Sequence, residues 1–218
     1  EFLLMSKFDY NIIIIGGGSA GLVSAYIGST VKAKVALIEN HKMGGDCLNT
    51  GCIPSKALIR STKILSYIRR HQEFGIKSAS AEFNFSEIMD RVQSIIKKIA
   101  PHDSIERYTN LGVNCFTGFA KVLSPNQVGI NGETLTTKNI IIATGAKPTI
   151  PAIRGLDKVE FLTTDNLWNI RELPKRFFIL GGGPIGVELS QCFARLGSKV
   201  TLVEMMPNIL TREDDEIS

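Results

Sequence analysis

Short apolar runs and helix-period stretches alternate along the chain. Tyr10–Ile15 and Val35–Ile38 have the length of buried strands, and a helical pattern opened by glycines lies between them. A second helix is predicted from Cys52 to about Arg69, with Pro54 in its first turn, where a missing amide hydrogen costs little. A third covers 86–99 and places Ile88, Val92, Ile95, Ile96 and Ile99 on one face, a pattern that predicts core packing and not a membrane surface. Asn114–Leu123, Gln127–Ile130 and Glu133–Thr137 read as strands of a small meander, with Asn131-Gly132 as a tight hairpin turn. A further strand ends in Ala143-Thr144-Gly145, and Pro148 and Pro151 punctuate a crossover near residue 150. Beyond it, Phe177–Leu180 and Lys199–Val203 read as strands on either side of another helix.

Glycines mark two strand-to-helix joints in the same way. GGGSAG at 16–21 follows the first strand with GxGxxG spacing, and the next strand leads into Glu39, where a carboxylate can accept both ribose hydroxyls. A glycine-rich turn alone is only a turn, but strand, helix, strand and acid in register define a dinucleotide site. The pattern recurs with GGGPIG at 181–186 and Glu204, as far from Gly181 as Glu39 is from Gly16. These features predict an α/β chain with two Rossmann-like dinucleotide-binding domains. The first, 1–150, carries the meander, and the second, 151–218, is truncated. One chain with two such sites most naturally passes electrons between two bound cofactors.

The segment GGDCLNTGCIPSK at 44–56 holds Cys47 and Cys52. Five residues of regular helix rise about 7.5 Å, more than the roughly 7 Å at which two Cα atoms can still be bridged. A bridged pair therefore needs a bend, and Gly51 offers the backbone freedom for it. Cys52 then stands at a helix N-terminus, where unpaired amides and the helix dipole favour the nucleophilic thiolate. Two buried, inert thiols have the same spacing; the nucleotide fingerprint upstream shifts the reading toward a redox-active disulfide.

In the first fingerprint, GGDCLNTGCIPSK, IIIATG at 140–145 and GGGPIGVE at 181–188, in that order and at those distances, the chain resembles the class I pyridine nucleotide-disulfide oxidoreductases. That family includes dihydrolipoamide dehydrogenase, glutathione reductase and mercuric reductase. APHDS at 100–104, with Glu106, Arg107 and Tyr108, is similar to mercuric reductase-like proteins. A dihydrolipoamide dehydrogenase-like enzyme, or a catalytically silent nucleotide-binding or redox-sensing module, is the alternative. The resemblance implies hydride passing from NAD(P)H through FAD to the Cys47–Cys52 disulfide, then to a disulfide or Hg(II) acceptor.

The resemblance also implies roles for particular residues. FAD would lie on Gly16, Gly18, Ser19, Ala20, Gly21, Glu39, Gly45, Asp46, Lys56, Ala120, Ala143, Thr144 and Gly145. The nicotinamide nucleotide would lie on Gly181, Gly183, Ile185, Gly186 and Glu204. Cys52 would face the flavin, and Cys47, nearer the surface, would meet the acceptor. Lys56 would pair with Glu188 where hydride crosses. Glu204 repels a 2′-phosphate and Met205 and Met206 bring no cation, so NADH is favoured over NADPH, for which Arg212 would be the nearby cation.

Composition changes this picture little. A chain of 218 residues, 44% of them hydrophobic, can bury a sizeable core, and a net charge of +4 is mild. Lys97-Lys98 and Arg69-Arg70 are short basic pairs without interleaved aromatics, which argues against nucleic acid as a partner. Four cysteines without a dense framework fit a reducing cytoplasm; Cys115 and Cys192 read as core fillers, and no metal-ligand spacing occurs. Glu1-Phe2-Leu3-Leu4 before Met5-Ser6-Lys7 is expected to be a cloning remnant, or the tail of an upstream module such as a membrane domain, which would make the protein membrane-associated. The chain is expected to be the N-terminal piece of a longer protein. By resemblance, the remainder carries the rest of the second domain, an aspartate for the flavin's ribitol, and a homodimer-forming domain with a His and Glu acid-base pair. The piece alone is therefore not expected to turn over a disulfide.

Overall fold

A computed structural model describes residues 8–218; the segment expected to be a remnant or upstream tail lies outside the described residues. The chain forms two compact units that interleave in sequence, one built from 8–52 and 96–161 and the other from 53–95 and 162–218.

The first unit is a six-stranded sheet. β1 (Tyr10–Ile15), α1 (Ser19–Thr30) and β2 (Val35–Glu39) form a βαβ unit, the short helices α2 (Gly45–Asn49) and α5 (Ile105–Asn110) lie in later connections, and β3 (Asn114–Thr117), β4 (Lys121–Ser124), β5 (Gln127–Ile130) and β6 (Glu133–Ile142) complete the order β3-β2-β1-β6-β5-β4. The strands β3, β2, β1 and β6 are parallel, so their connections must cross over the sheet, which buries both of its faces. On one face Ile14, Leu22, Ala25, Val35, Leu37, Tyr108 and Val113 cluster, and on the other Tyr10, Ile13, Ala36, Ile38, Val128 and Ile130. That two-sided burial is why Ile12–Ile15 of β1 and Val35–Ile38 of β2 read as unbroken apolar runs.

Two strand boundaries differ from the sequence reading. The single strand expected over 114–123 is two, because the Gly118 amide donates to the Glu39 carbonyl at 2.9 Å and turns the chain away from the parallel edge. Conversely, the strands expected at 133–137 and at the ATG stretch are one. The first half of β6 pairs antiparallel with β5 and its second half parallel with β1, from Tyr10↔Thr137 to Ile15↔Ile142.

A clasp marks the residue where β6 changes partners. Asp9 Oδ2 accepts from the Thr136 hydroxyl at 2.6 Å and from its amide at 2.8 Å, and the Asp9 amide donates back to Thr136 Oγ1 at 3.0 Å. Hydrogen bonding to the Thr136 side chain, then to its amide, holds the Asp9 carboxyl below the ordinary carboxylate range. A lowered folded value means that this contribution is present above the unfolded value, near pH 4, and is lost as pH falls through the folded one. Asp9→Asn is therefore expected to be less stable than the parent at pH 7 and to converge with it under acid. Unfolding followed by circular dichroism across that range checks this, and a gap that persists unchanged into acid contradicts it.

The second unit holds most of α3 (Cys52–Arg69) and of α4 (Phe85–Ile99), with the parallel pair β7 (Arg176–Leu180) and β8 (Lys199–Val203) joined by α6 (Pro184–Leu196). Phe193 of α6 is fully buried, 4.3 Å from the Phe177 ring and 6.2 Å from Phe85. Buried Thr62 of α3 reaches Cys192 of α6, its Oγ1 3.6 Å from Sγ. The inward residues of α4 are Phe85, Met89 and Val92, so its buried stripe is offset from the isoleucine row read in the sequence. Arg69 donates to the Arg195 carbonyl at 2.5 Å and Arg70 pairs with Glu73 at 3.0 Å. That basic pair is engaged within its own unit. Among the described residues no helix is long and apolar enough to cross a membrane.

Candidate nucleotide and thiol site

The first glycine turn is held from both sides. Gly16 donates its amide to the Ile38 carbonyl at 2.8 Å, Gly17 donates to Glu39 Oε2 at 2.6 Å, and Glu39 Oε1 accepts from the His41 amide at 2.7 Å. Glu39 thus braces the turn, and each carboxylate oxygen keeps a second lone pair for a ribose hydroxyl. A Cβ on Gly21 would lie 1.8 Å from the Gly16 carbonyl oxygen, so only glycine lets α1 start this close to the turn. Gly18, the N-cap, has no side chain to satisfy the first-turn amides, and Ser19 and Ala20 beyond it are exposed. Those amides can receive a pyrophosphate.

The second turn repeats these bonds and adds one more amide to its acid. Gly181 donates to the Val203 carbonyl at 2.8 Å and Gly182 to Glu204 Oε2 at 2.7 Å, while Glu204 Oε1 accepts from Met205 and Met206 at 2.7 and 3.0 Å. The Met206 amide first, then that of Gly182, hold the Glu204 carboxyl below the ordinary range. A Cβ on Gly186 would lie 2.0 Å from the Gly181 carbonyl oxygen. Gly183 is the N-cap of α6, and Ile185 is exposed just after it.

The cysteine segment is built on the first turn. The Gly44 amide donates to the Gly17 carbonyl at 2.8 Å, and a Cβ on Gly45 would fall 2.6 Å from Gly18 Cα, so the two backbones meet with no side chain between them. From that joint runs α2 (Gly45–Asn49), with Asp46 exposed and Leu48 buried as its anchor. Asn49 clamps it by donating to the Met43 and Gly45 carbonyls at 3.0 and 2.8 Å. Thr50 and Gly51 break the helix, and Cys52 begins α3 as the sequence predicts. Gly51 serves differently from the expectation. Its φ is not positive; what glycine supplies is room, since a Cβ would sit 3.0 Å from the Asp46 carbonyl oxygen.

Cys47 is half-buried and Cys52 exposed, the reverse of the accessibility that the resemblance implies. The cause is placement: Cys47 lies within α2 beside its buried anchor, whereas Cys52 is the first residue of a helix. Ala143 extends the ladder by donating to the Ile15 carbonyl at 2.8 Å, with Thr144 and Gly145 exposed beyond it. Ala120 packs, half-buried, on the cluster around Ile38 and Ile130. Lys56 on α3 and Glu188 on α6 are both exposed, and no ion pair joins them among the described residues. Sequence reasoning passed over Gly17, Gly44 and Asn49, which hold the cysteine segment to the turn; the doubled glycine at 44–45 was the available signal.

Two repeated dinucleotide turns and a cysteine pair anchored on the first define a redox-type nucleotide-binding α/β protein. Residues 10–218 match the pyridine nucleotide-disulphide oxidoreductase family, and the chain belongs to it. It is 41% identical over 218 residues to a dihydrolipoyl dehydrogenase of Acholeplasma laidlawii, covering 98% of this chain and 64% of that protein. It is 35% identical over 212 residues to a mercuric reductase of Bacillus cereus, covering 97% of this chain and 34% of that one. Among solved structures, the HOCl-induced flavoprotein disulfide reductase RclA from Escherichia coli superposes with a TM-score of 0.80 at 30% identity, over 95% of this chain and 45% of that one. The chain thus spans one third to two thirds of the length of these relatives.

Proposed function

We propose that this chain is the nucleotide- and thiol-bearing part of a flavoenzyme that couples oxidation of NADH to reduction of a Cys47–Cys52 disulfide, and then to a disulfide or Hg(II) acceptor. The observation that carries the reading is the joint between Gly44-Gly45 and Gly17-Gly18, which builds the cysteine segment directly onto a phosphate-type turn. Just past that joint, the first-turn amides of α1 have no side-chain cap and are where an FAD pyrophosphate fits, and Glu39 has acceptor capacity left for its ribose. Bound FAD supplies the two-electron relay between nicotinamide and sulfur.

The chain's own residues account for the rest. With the pair reduced, the Cys47 thiolate attacks one sulfur of an acceptor disulfide, whose S–S bond breaks and whose leaving thiolate takes a proton. Cys52 then attacks Cys47 Sγ, releasing the second thiol and closing the Cys47–Cys52 disulfide. Glu204, kept ionised by three amides, selects the free 2′-hydroxyl of NADH over a 2′-phosphate. Lys56 and Glu188 are assigned to the hydride-transfer region, and the whole protein to a cytoplasmic homodimer.

Anaerobic titration with NADH, followed by visible absorbance beside Cys47→Ser and Cys52→Ser, tests this reading. The expected result is a flavin spectrum that gains a long-wavelength band on reduction, with the band missing in Cys52→Ser. Flavin that NADH reduces identically in all three proteins would sink the thiol assignment.

A further inference from the structure

The second glycine turn carries two thioethers that its packing does not use. Under the first turn, a Cβ on Gly17 would meet Met43 Sδ at 2.9 Å, so Met43 packs against that turn. Under Gly182 the corresponding neighbour is Ile209, with Cγ2 at 2.8 Å. Ile209 fills that role in the second unit, leaving Met205 and Met206 96% and 54% exposed. Yet both are tied to recognition, since their amides grip Glu204 Oε1 at 2.7 and 3.0 Å while Oε2 holds Gly182 at 2.7 Å. Two flexible apolar side chains, largely open to solvent, are therefore carried by the residues whose amides hold the carboxylate at the ribose end of the turn. A thioether packs well on an aromatic ring.

We propose that Met205 and Met206 form a peroxide-sensitive edge of the second nucleotide site, which holds the adenosine end of a nicotinamide nucleotide as thioethers and releases it as sulfoxides. The proposal rests on Glu204 being the ribose-binding acid of that site. In the modification, a thioether lone pair attacks one oxygen of hydrogen peroxide and the O–O bond breaks. Sulfur is oxidised by two electrons, peroxide is reduced, and the transferred oxygen gives its proton to the departing hydroxide, which leaves as water. The sulfoxide is polar and chiral where the thioether was apolar. Its oxygen also adds partial negative charge on residues whose amides already hold the Glu204 carboxylate. Both changes disfavour an adenine ring and an anionic ligand.

The test measures NADH binding by fluorescence before and after hydrogen peroxide, in the parent protein and in Met205→Leu/Met206→Leu, with the sulfoxides located by mass spectrometry. In the parent the Kd is expected to rise about fivefold, the scale of one lost sulfur–aromatic contact. Methionine sulfoxide reductases should restore it. In the double variant the ratio of oxidised to unoxidised Kd should be about one, which separates the methionines from any effect at the cysteines. An unchanged Kd with both residues oxidised, or the same rise in the double variant, overturns the proposal. If the unoxidised protein fails to bind NADH at all, the reading of Glu204 fails first and this inference falls with it.

Discussion

Gly21→Ala will destabilise the first unit by on the order of 3 kcal/mol or more, and Gly186→Ala will do the same to the second. Helix propensity alone argues the opposite, because alanine is favoured over glycine in a helix interior by about 1 kcal/mol. The contact decides the sign. The new methyl would lie 1.8 Å from the Gly16 carbonyl oxygen in one case and 2.0 Å from that of Gly181 in the other. Each carbonyl belongs to a backbone turn tied to its neighbouring strand and acid, so neither can move without giving up the amide bonds to Glu39 or Glu204. Against a total domain stability of about 5–15 kcal/mol, such a loss leaves a unit close to unfolding. Gly183→Ala is the contrast, for nothing lies within 4 Å of a Cβ there. It should keep its stability within about 0.5 kcal/mol and weaken nucleotide binding instead. Thermal unfolding, with limited proteolysis to assign the loss to 53–95 and 162–218 or to the remainder, separates these outcomes. Equal stability for Gly183→Ala and Gly186→Ala would refute the packing account.

In the protein carrying this chain, Cys52→Ser will slow reduction of a disulfide by at least about 10³-fold, the scale on which loss of a catalytic nucleophile is felt. It will also trap a stable mixed disulfide on Cys47, because the thiol that resolves it is gone. Cys47→Ser will be as slow but will trap none. The other two cysteines supply the control. Burial pushes the Cys115 and Cys192 thiols up, with Cys192 almost wholly enclosed beside Thr62. Their thiolate fraction at neutral pH is small and their access poor, so Cys115→Ala and Cys192→Ala should leave turnover within about twofold while costing on the order of 1 kcal/mol of packing. Trapping followed by mass spectrometry gives the assignment directly. A mixed disulfide that forms on Cys52 in the Cys47→Ser variant instead would exchange the two roles, consistent with the greater exposure of Cys52.

The local features of the candidate site were legible because each depends on residues close in sequence. Apolar runs bounded by glycines placed β1 and β8 on the residues where they occur, and Pro54 together with Cys52 placed the start of α3. The two acids were found by their distance from the glycines. Their first task in the fold, accepting the amides of Gly17 and Gly182, was not, since a carboxylate that braces a turn and one that binds ribose leave the same mark in a sequence. The joint of Gly44-Gly45 with Gly17-Gly18 was hidden for a related reason. A glycine needed for a close approach cannot be told from one needed for a turn until its neighbour is known.

The sequence by itself determined the alternation of strands and helices, the repeat of the nucleotide turn and the position of Cys52 at a helix start. These follow from backbone chemistry and side-chain periodicity acting over a few residues. Only the tertiary structure decided that β6 is one strand serving two partners, because its split rests on a clasp between Asp9 and Thr136, far apart in the chain. Only it showed that α3 and α4 pack in one unit with α6, through Phe85, Phe193, Thr62 and Cys192, and that Cys52 is more open than Cys47. Burial is set by which surfaces meet, and no periodicity within a helix names the partner that covers it.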